Sequence, residues 1–430
     1  MAKQSIKPLF NPSRRRLLWQ GLIATSALSG LPGLLGRDAF GFHEIGIKKH
    51  DISNIPNLSN ILHEVSVDND PDTRMVIPRG FTIREIARSG QPVVSSSAYI
   101  WHAAPDGGAT FTTEDGGWIY VSNSEVAARR QGGVGAIRFD ARGEAIDAYS
   151  IASGTTNNCA GGPTPWGTWL SCEEIELGLV YECDPEGKEL AIPIPAMGAF
   201  THEAAAVDPI YKHVYLTEDM PDGCLYRFTP DDYPDGGRAD LRTGLLEVAV
   251  VDGENPIDTR SVTWVRIPYP VPRLDGNPTR VSPPTRRQVA QATKFDGGEG
   301  CWYHQGIVYF STKGDNRVWA LDTTRNVLDI IFDKRRDQLF TPGIADVDNL
   351  TVSFAGDILV AEDGPNMRIV VMGSHLKPFE LLKILGHRNS EITGPAFSPD
   401  GSRLYFSSQR GSSGSSRDGR TYEMRGPFFR

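Results

Sequence analysis

Carboxylates and one cysteine recur in this chain at spacings that would gather them around a common point. Six short segments share an aromatic or aliphatic centre followed by a polar, often acidic, tail: Trp118–Glu125, Thr168–Glu174, Val214–Asp219, Val308–Lys313, Ile358–Asp363 and Leu404–Gln409. Ten to twelve residues before the centres stands a second functional group: Cys159 before Trp169, Glu203 before Tyr215, Glu299 before Tyr309, Asp348 and Asn349 before Leu359, and Thr393 before Tyr405. Three to five residues after the centres come Glu125, Glu173 and Glu174, Glu218 and Asp219, and Glu362 and Asp363. One carboxylate after a strand is usually a solvated turn residue, but the same residue type repeated in phase becomes a ring if the segments are arranged about one axis. Converging like charges raise each other's pKa unless something positive lies between them, so such rings normally hold cations. Oxygen donors at this density suit Ca²⁺, and a lone thiolate among them suits a transition ion such as iron.

The elements that would position these rings follow from the spacing itself. Tyr120, Trp169, Tyr215, Tyr309, Leu359 and Tyr405 lie 49, 46, 94, 50 and 46 residues apart. A period near 47 is that of a four-stranded propeller blade, and the doubled interval marks one divergent or enlarged unit. The expected fold is therefore an all-β propeller, with six blades favoured over seven. The 45 glycines and 30 prolines suit short strands joined by tight turns. Alternation in Ala136–Asp140, Leu225–Phe228 and Val318–Asp322 fits half-buried strands, and Asp115-Gly116 and Asp400-Gly401 fit hairpin turns. A Pro-rich insertion is expected over residues 253–292, whose seven prolines exclude a central strand and suggest a loop or lid. Gly411–Asp418 reads as a flexible linker before a last strand at Thr421–Phe428 that would help close the ring.

Before the propeller, Ser13-Arg14-Arg15-Arg16-Leu17-Leu18 precedes an apolar run from Gly21 to Leu35 broken by Gly30, Pro32 and Gly33. Residues 1–39 are expected to be a twin-arginine signal segment, with 40–430 as a single propeller domain in the periplasm or secreted. The run is too short and glycine-rich for a permanent membrane anchor. The twin-arginine machinery carries folded proteins, so a metal site could be filled before export. Without residues 1–39 the formal charge moves from −9 to about −14 (38 basic against 52 acidic residues), which excludes a basic nucleic-acid footprint. The five cysteines, 159, 172, 183, 224 and 301, form no CxxC pair, so neither a zinc ribbon nor a complete disulfide framework is indicated. There is no Gly-x-Ser-x-Gly elbow, Walker loop or dinucleotide fingerprint.

Taken together, Asn158-Cys159-Ala160-Gly161-Gly162-Pro163-Thr164-Pro165-Trp166-Gly167-Thr168-Trp169-Leu170-Ser171-Cys172-Glu173-Glu174, Thr201-His202-Glu203, Thr217-Glu218-Asp219, Asp348-Asn349-Leu350, Glu362-Asp363-Gly364 and Glu391–Gly401 resemble the PhoX-type alkaline phosphatases. That resemblance, covering most of residues 60–430, implies a six-bladed propeller that hydrolyses small phosphate esters with calcium and ferric iron. It implies Cys159 as the iron-bound thiolate, with Glu173, Glu203, Glu299, Asp348, Asn349 and Glu362 as candidate metal ligands. The chain departs from the family where Gly297-Gly298-Glu299 replaces Arg-Pro-Glu. An arginine fork stabilises phosphoryl charge, so Lys313 and Arg410 are the expected catalytic substitutes, acting as point charges. The missing arginine keeps two alternatives in view: a calcium-dependent propeller lactonase or phosphotriesterase, whose substrates are less anionic, and a non-catalytic, metal-stabilised propeller.

Overall fold

The computed structural model describes residues 67–70, 74–234, 237–253, 260–272, 282–337, 343–373 and 378–428; the expected signal segment lies outside them. In chain order the strands are β1 (Val67–Asp70), β2 (Met75–Pro78), β3 (Thr82–Arg88), β4 (Pro105–Thr112), β5 (Trp118–Ser124), β6 (Gly132–Phe139), β7 (Ala145–Thr155), β8 (Asn158–Pro163), β9 (Trp169–Glu173), β10 (Val180–Cys183) and β11 (Ile192–Pro193). There follow β12 (His202–Asp208), β13 (His213–Glu218), β14 (Leu225–Asp232), β15 (Asp240–Val251), β16 (Arg260–Arg266), β17 (Gly298–His304), β18 (Ile307–Thr312), β19 (Arg317–Asp322) and β20 (Val327–Asp333). The last are β21 (Val347–Val352), β22 (Ile358–Glu362), β23 (Arg368–Met372), β24 (Pro378–Ile384), β25 (Ile392–Phe397), β26 (Arg403–Ser408) and β27 (Arg420–Arg425). Three single-turn 3₁₀ segments complete the described elements, none of which is a helix long and apolar enough to cross a membrane.

Hydrogen bonding groups the described strands into five sheets. Three of them are four-stranded: β4–β7, β8–β11, and β25-β26-β27-β3, in which the late strand β27 pairs with the early strand β3. A six-stranded sheet carries β21–β24 with β2 and β1 added at its outer edge. The fifth has nine strands in the order β12-β13-β14-β15-β16-β20-β19-β18-β17. It consists of two meanders, β12–β15 and β17–β20, joined edge to edge through β16. Six separate sheets are thus not what forms, because β16 pairs with β15 on one side and with β20 on the other. Part of the segment expected to be a Pro-rich loop or lid is this strand: Ser261, Val262, Thr263, Trp264 and Val265 carry the β-forming side chains, and the prolines lie beyond it.

The arrangement is propeller-like. β4 lies beside β8, β8 beside β12, β12 beside β17, β17 beside β21, β21 beside β25, and β25 beside β4, so the first strands of successive units line one axis. These backbones approach closely. A Cβ on Gly107 would sit 2.5 Å from Ala160 Cα, and one on Gly300 would sit 2.5 Å from Leu350 N, so glycine is needed at both contacts.

Packing explains the recurring aromatic centre. Tyr120, Trp169, Tyr215, Tyr309, Leu359 and Tyr405 are all buried. Second strands such as β5 and β18 are buried along their whole length because a sheet packs on each face. Between the first two sheets, for example, Ala109, Val121 and Val134 meet Trp169 and Cys183. Each fully buried large side chain contributes about 2 kcal/mol from the area removed from water. The Ser/Gly stretch expected as a linker is instead a closed turn: Asp418 Oδ2 accepts from Ser413 N at 3.0 Å and from Ser412 Oγ at 3.3 Å.

The β27–β3 pairing makes ring closure testable. Met424 is fully buried, opposite Leu404 of β26 and Ile83 of β3. Met424→Ala is expected to lower the unfolding free energy by about 3 kcal/mol, measured by urea denaturation. A loss under about 1 kcal/mol would mean that this sheet is not packed as described.

Candidate metal centre

Each first strand begins at the same end of the axis, and its second residue carries the functional group: Asp106 of β4, Cys159 of β8, Glu203 of β12, Glu299 of β17 and Asp348 of β21. Immediately after that point all five strands slip register by one residue against their neighbours, between Pro105 and Gly108, Asn158 and Gly161, His202 and Ala205, Gly298 and Cys301, and Val347 and Leu350. A bulge of this kind re-aims a side chain while the rest of the strand keeps its pairing. In β25 the slip falls one residue later, between Thr393 and Ala396, so Gly394 takes the bulged place. Its φ of 59° suits glycine, and a Cβ there would lie 2.5 Å from Asp106 O.

A second ring comes from the residue that follows each second strand: Glu125, Glu174, Asp219, Lys313, Asp363 and Gln409. The two rings and Glu391 meet. Four sets place their ligand atoms within 4.8 Å of one another: Asp106, Glu125 and Cys159; Cys159, Glu174 and Glu203; Glu203, Glu299 and Asp348; and Asp348, Asp363 and Glu391. Adjacent sets share Cys159, Glu203 and Asp348, so the sets form one connected arc.

Amides hold several of these carboxylates. Gln409 Nε2 donates to Asp106 Oδ2 at 2.6 Å and also to Glu125. Asn157 Nδ2 donates to Glu174 Oε2 at 3.1 Å and to Glu125 Oε1 at 3.4 Å. Cys159 Sγ lies 3.2 Å from Glu203 Oε1. Two cations touch the arc: Lys313 Nζ is 2.8 Å from Asp363 Oδ2 and 3.8 Å from both Glu299 Oε1 and Asp348 Oδ2, and Arg410 Nη2 is 2.7 Å from Glu391 Oε1.

Of the residues expected as ligands, the structure brings Cys159, Glu203, Glu299 and Asp348 together, and Asn349 stands behind them. Asn349 Nδ2 donates to Asp348 Oδ1 at 2.8 Å, and its Oδ1 accepts from Gly394 N at 2.8 Å, so it orients Asp348 across the bulge. Glu173 and Glu362 are corrections. Glu173 accepts from Thr156 N at 2.9 Å and Leu179 N at 3.2 Å. Glu362 accepts from Ala345 N at 2.9 Å and from Arg368 at 2.7 and 2.6 Å. Glu218 is used alike, accepting from Cys224 N, Tyr226 Oη and Arg286 Nη1. Each ends its strand and turns away from the axis to hold an adjoining loop. Successive residues point to opposite sides of a strand, so the axial place passes to Glu174, Asp219 and Asp363. Asp106 and Glu391, which were not expected as ligands, also supply atoms to these sets; Glu391 lies in a sequence stretch that carries the resemblance. His202 is buried against Phe200 and bonded to Gly198 O, which makes it structural.

The donor set fits metal ions. Glu299 Oε1 is buried with no hydrogen-bond partner among the described residues, and the donors are carboxylate oxygens plus one thiol. Burial, then repulsion from neighbouring carboxylates, pushes Asp106, Glu203 and Glu299 well above the usual carboxylate range and Glu174 up to about 9. Burial and the same neighbours raise the Cys159 thiol.

The family assignment agrees with this geometry. The family model described as "Alkaline phosphatase PhoX" matches residues 101–178 and 176–333, more than half of the chain. The chain belongs to the PhoX family. As a PhoX-family protein it is a metal-dependent hydrolase of phosphate esters. Among solved structures, Pseudomonas fluorescens PhoX in complex with vanadate is 16% identical, with 84% of this chain and 98% of that one covered at a TM-score of 0.67. A Bacteroides thetaiotaomicron protein of unknown function is 9% identical over 80% of this chain and 76% of that one, at a TM-score of 0.46. The gluconolactonase XC5397 from Xanthomonas campestris is 12% identical over 86% of this chain and 93% of that one, at 0.40. No curated protein matches the sequence.

Chelation tests whether the PhoX carboxylates depend on cations. A carboxyl whose folded pKa is raised gives stability that is present below its unfolded value, near 4.5, and lost as pH rises through the folded value. The metal-free protein should therefore weaken from the ordinary carboxylate range up to about pH 9, the value for Glu174. Chelator should lower Tm more at pH 9 than at pH 5 in paired thermal melts. Equal drops at the two pH values would mean that no cation relieves this repulsion.

Proposed function

We propose that the chain is an exported phosphomonoesterase acting in the periplasm or outside the cell, with calcium and iron held by Asp106, Glu125, Cys159, Glu174, Glu203, Glu299 and Asp348. The observation that carries this reading is the connected arc of carboxylates around one buried thiol at the end of the axis. The closed circuit of six first strands supports a count of six blades, two of which are fused through β16. The Pseudomonas relative binds vanadate, a transition-state analogue, which supports a phosphorylated small molecule as substrate.

Bound in the arc, the metal ions would neutralise the phosphoryl oxygens and activate the nucleophile for in-line displacement. The chain's own residues do the positioning. Gln409 and Asn157 fix the directions of Asp106, Glu125 and Glu174, and Asn349 fixes Asp348. Lys313 and Arg410 stand half-buried at the rim, where their charge opposes that of a phosphoryl group. Lys313 also starts where the family's arginine would start: a Cβ on Gly297 would lie 3.8 Å from Lys313 Cβ. Positive charge is thus supplied despite Gly297, and an anionic monoester is preferred over the lactone or triester alternative. The same charge and the family membership set aside the non-catalytic reading.

The test combines elemental analysis with turnover of p-nitrophenyl phosphate at alkaline pH before and after chelation. Calcium and iron in the protein, with turnover that chelator removes, are the expected result. Cys159→Ala should lose iron and turnover together. Arg410→Ala should lower kcat/KM by about 100-fold, equivalent to roughly 2.7 kcal/mol of transition-state stabilisation. Full activity in a chelated sample, or in Cys159→Ala, would sink the proposed site.

A further inference from the structure

Charge is shared unevenly around the axis. In the second ring, Lys313 is the one cation at a position where four of the other five units carry a carboxylate and one carries Gln409. Its ammonium lies against Asp363 at 2.8 Å and within 3.8 Å of Glu299 and Asp348. Those three carboxylates belong to two of the four sets, Glu203–Glu299–Asp348 and Asp348–Asp363–Glu391. In the second of these sets the third member, Glu391, is paired with Arg410 at 2.7 Å. On the opposite side, Asp106, Cys159, Glu174 and Glu203 have no ion pair with a lysine or arginine among the described residues, and their side-chain neighbours are neutral amides and carboxylates.

We infer that Lys313 stands in for one metal ion, so that Asp348, Asp363 and Glu391 form a lysine- and arginine-held set and metal ions are confined to the sets containing Cys159 and Glu203. This rests on the metallophosphatase reading above and deepens it. Asp363 at 2.8 Å and Glu299 and Asp348 at 3.8 Å surround the ammonium as they would an ion. A divalent ion sharing Asp348 and Asp363 with this ammonium would face a like charge at close range in a poorly solvated site. Lysine suits the role because its compact, strongly hydrated point charge can replace an ion among carboxylates without a fixed fork geometry. Of the three carboxylates only Asp363, at 2.8 Å, lies within hydrogen-bond distance of the ammonium, which has three donors, so a metal substitute and a contact to the substrate's phosphoryl group are compatible.

The experiment is a metal count on purified holoprotein by elemental analysis, with terbium luminescence as a separate probe of calcium-type sites. Lys313→Met keeps the length of the side chain and removes its charge, and should bind about one more hard cation per chain than the parent. Lys313→Arg should bind no more than the parent. Asp363→Asn should leave the count unchanged, whereas Glu203→Gln should lower it. The inference is overturned by an unchanged count in folded Lys313→Met, or by loss of an ion in Asp363→Asn, which decides the matter if Lys313→Met does not fold. A parent protein without metal would overturn the metallophosphatase reading as well; metal in the parent with no gain in Lys313→Met would overturn the lysine assignment alone.

Discussion

Buried like charges at a narrow axis govern the rest of this structure. Asp106, Glu203, Glu299 and Asp348 are each nearly inaccessible to solvent and each feels the charge of neighbouring carboxylates. Bringing ionised carboxylates out of water costs several kcal/mol apiece unless something repays it, and their mutual repulsion adds to the cost. A fold that repeats this arrangement from unit to unit is organised around cations. Among the described residues two side-chain cations, Lys313 and Arg410, meet these carboxylates, both on the side of Asp348, Asp363 and Glu391.

Precision at this site comes from irregularity in the strands. A perfectly paired first strand would alternate its side chains between the two neighbouring sheets, and none would aim along the axis. The extra residue that begins at Asp106, Cys159, Glu203, Glu299 and Asp348 turns each of these side chains inward. Strand-end carboxylates then brace adjoining loops: Glu173, Glu218 and Glu362 each accept a backbone N–H, and each is followed by an axial residue. One acidic pair therefore divides two tasks, loop support and ligand supply, between adjacent positions.

Much of this was legible in the residues alone, and what was not has a physical reason. The period of the aromatic centres located the buried second strands, and the residues ten to twelve positions earlier led to Cys159, Glu203, Glu299 and Asp348. The choice between Glu173 and Glu174, or Glu362 and Asp363, turns on where a strand's alternation stops, and a shift of one residue reverses the side. Asp106 has the same bulged place as Cys159, but its unit was not included in the earlier row. Glu391 precedes its strand and reaches the arc from outside both rows. The fusion through β16 depends on pairing between residues 66 and 68 positions apart, Ser261 with Val327 and Arg260 with Leu328, which no local pattern records.

That fusion has a consequence for the outer surface of the molecule. The last strand of a propeller unit ordinarily leaves a row of unpaired backbone donors and acceptors, a template on which another chain can add a strand. β16 lies between β15 and β20, pairing through five residues with the first and two with the second, so a single segment covers one border and the start of the next. Over that arc the protein is guarded against edge-to-edge self-association by its own backbone, without the charged or proline-bearing edge residues that an open sheet would need.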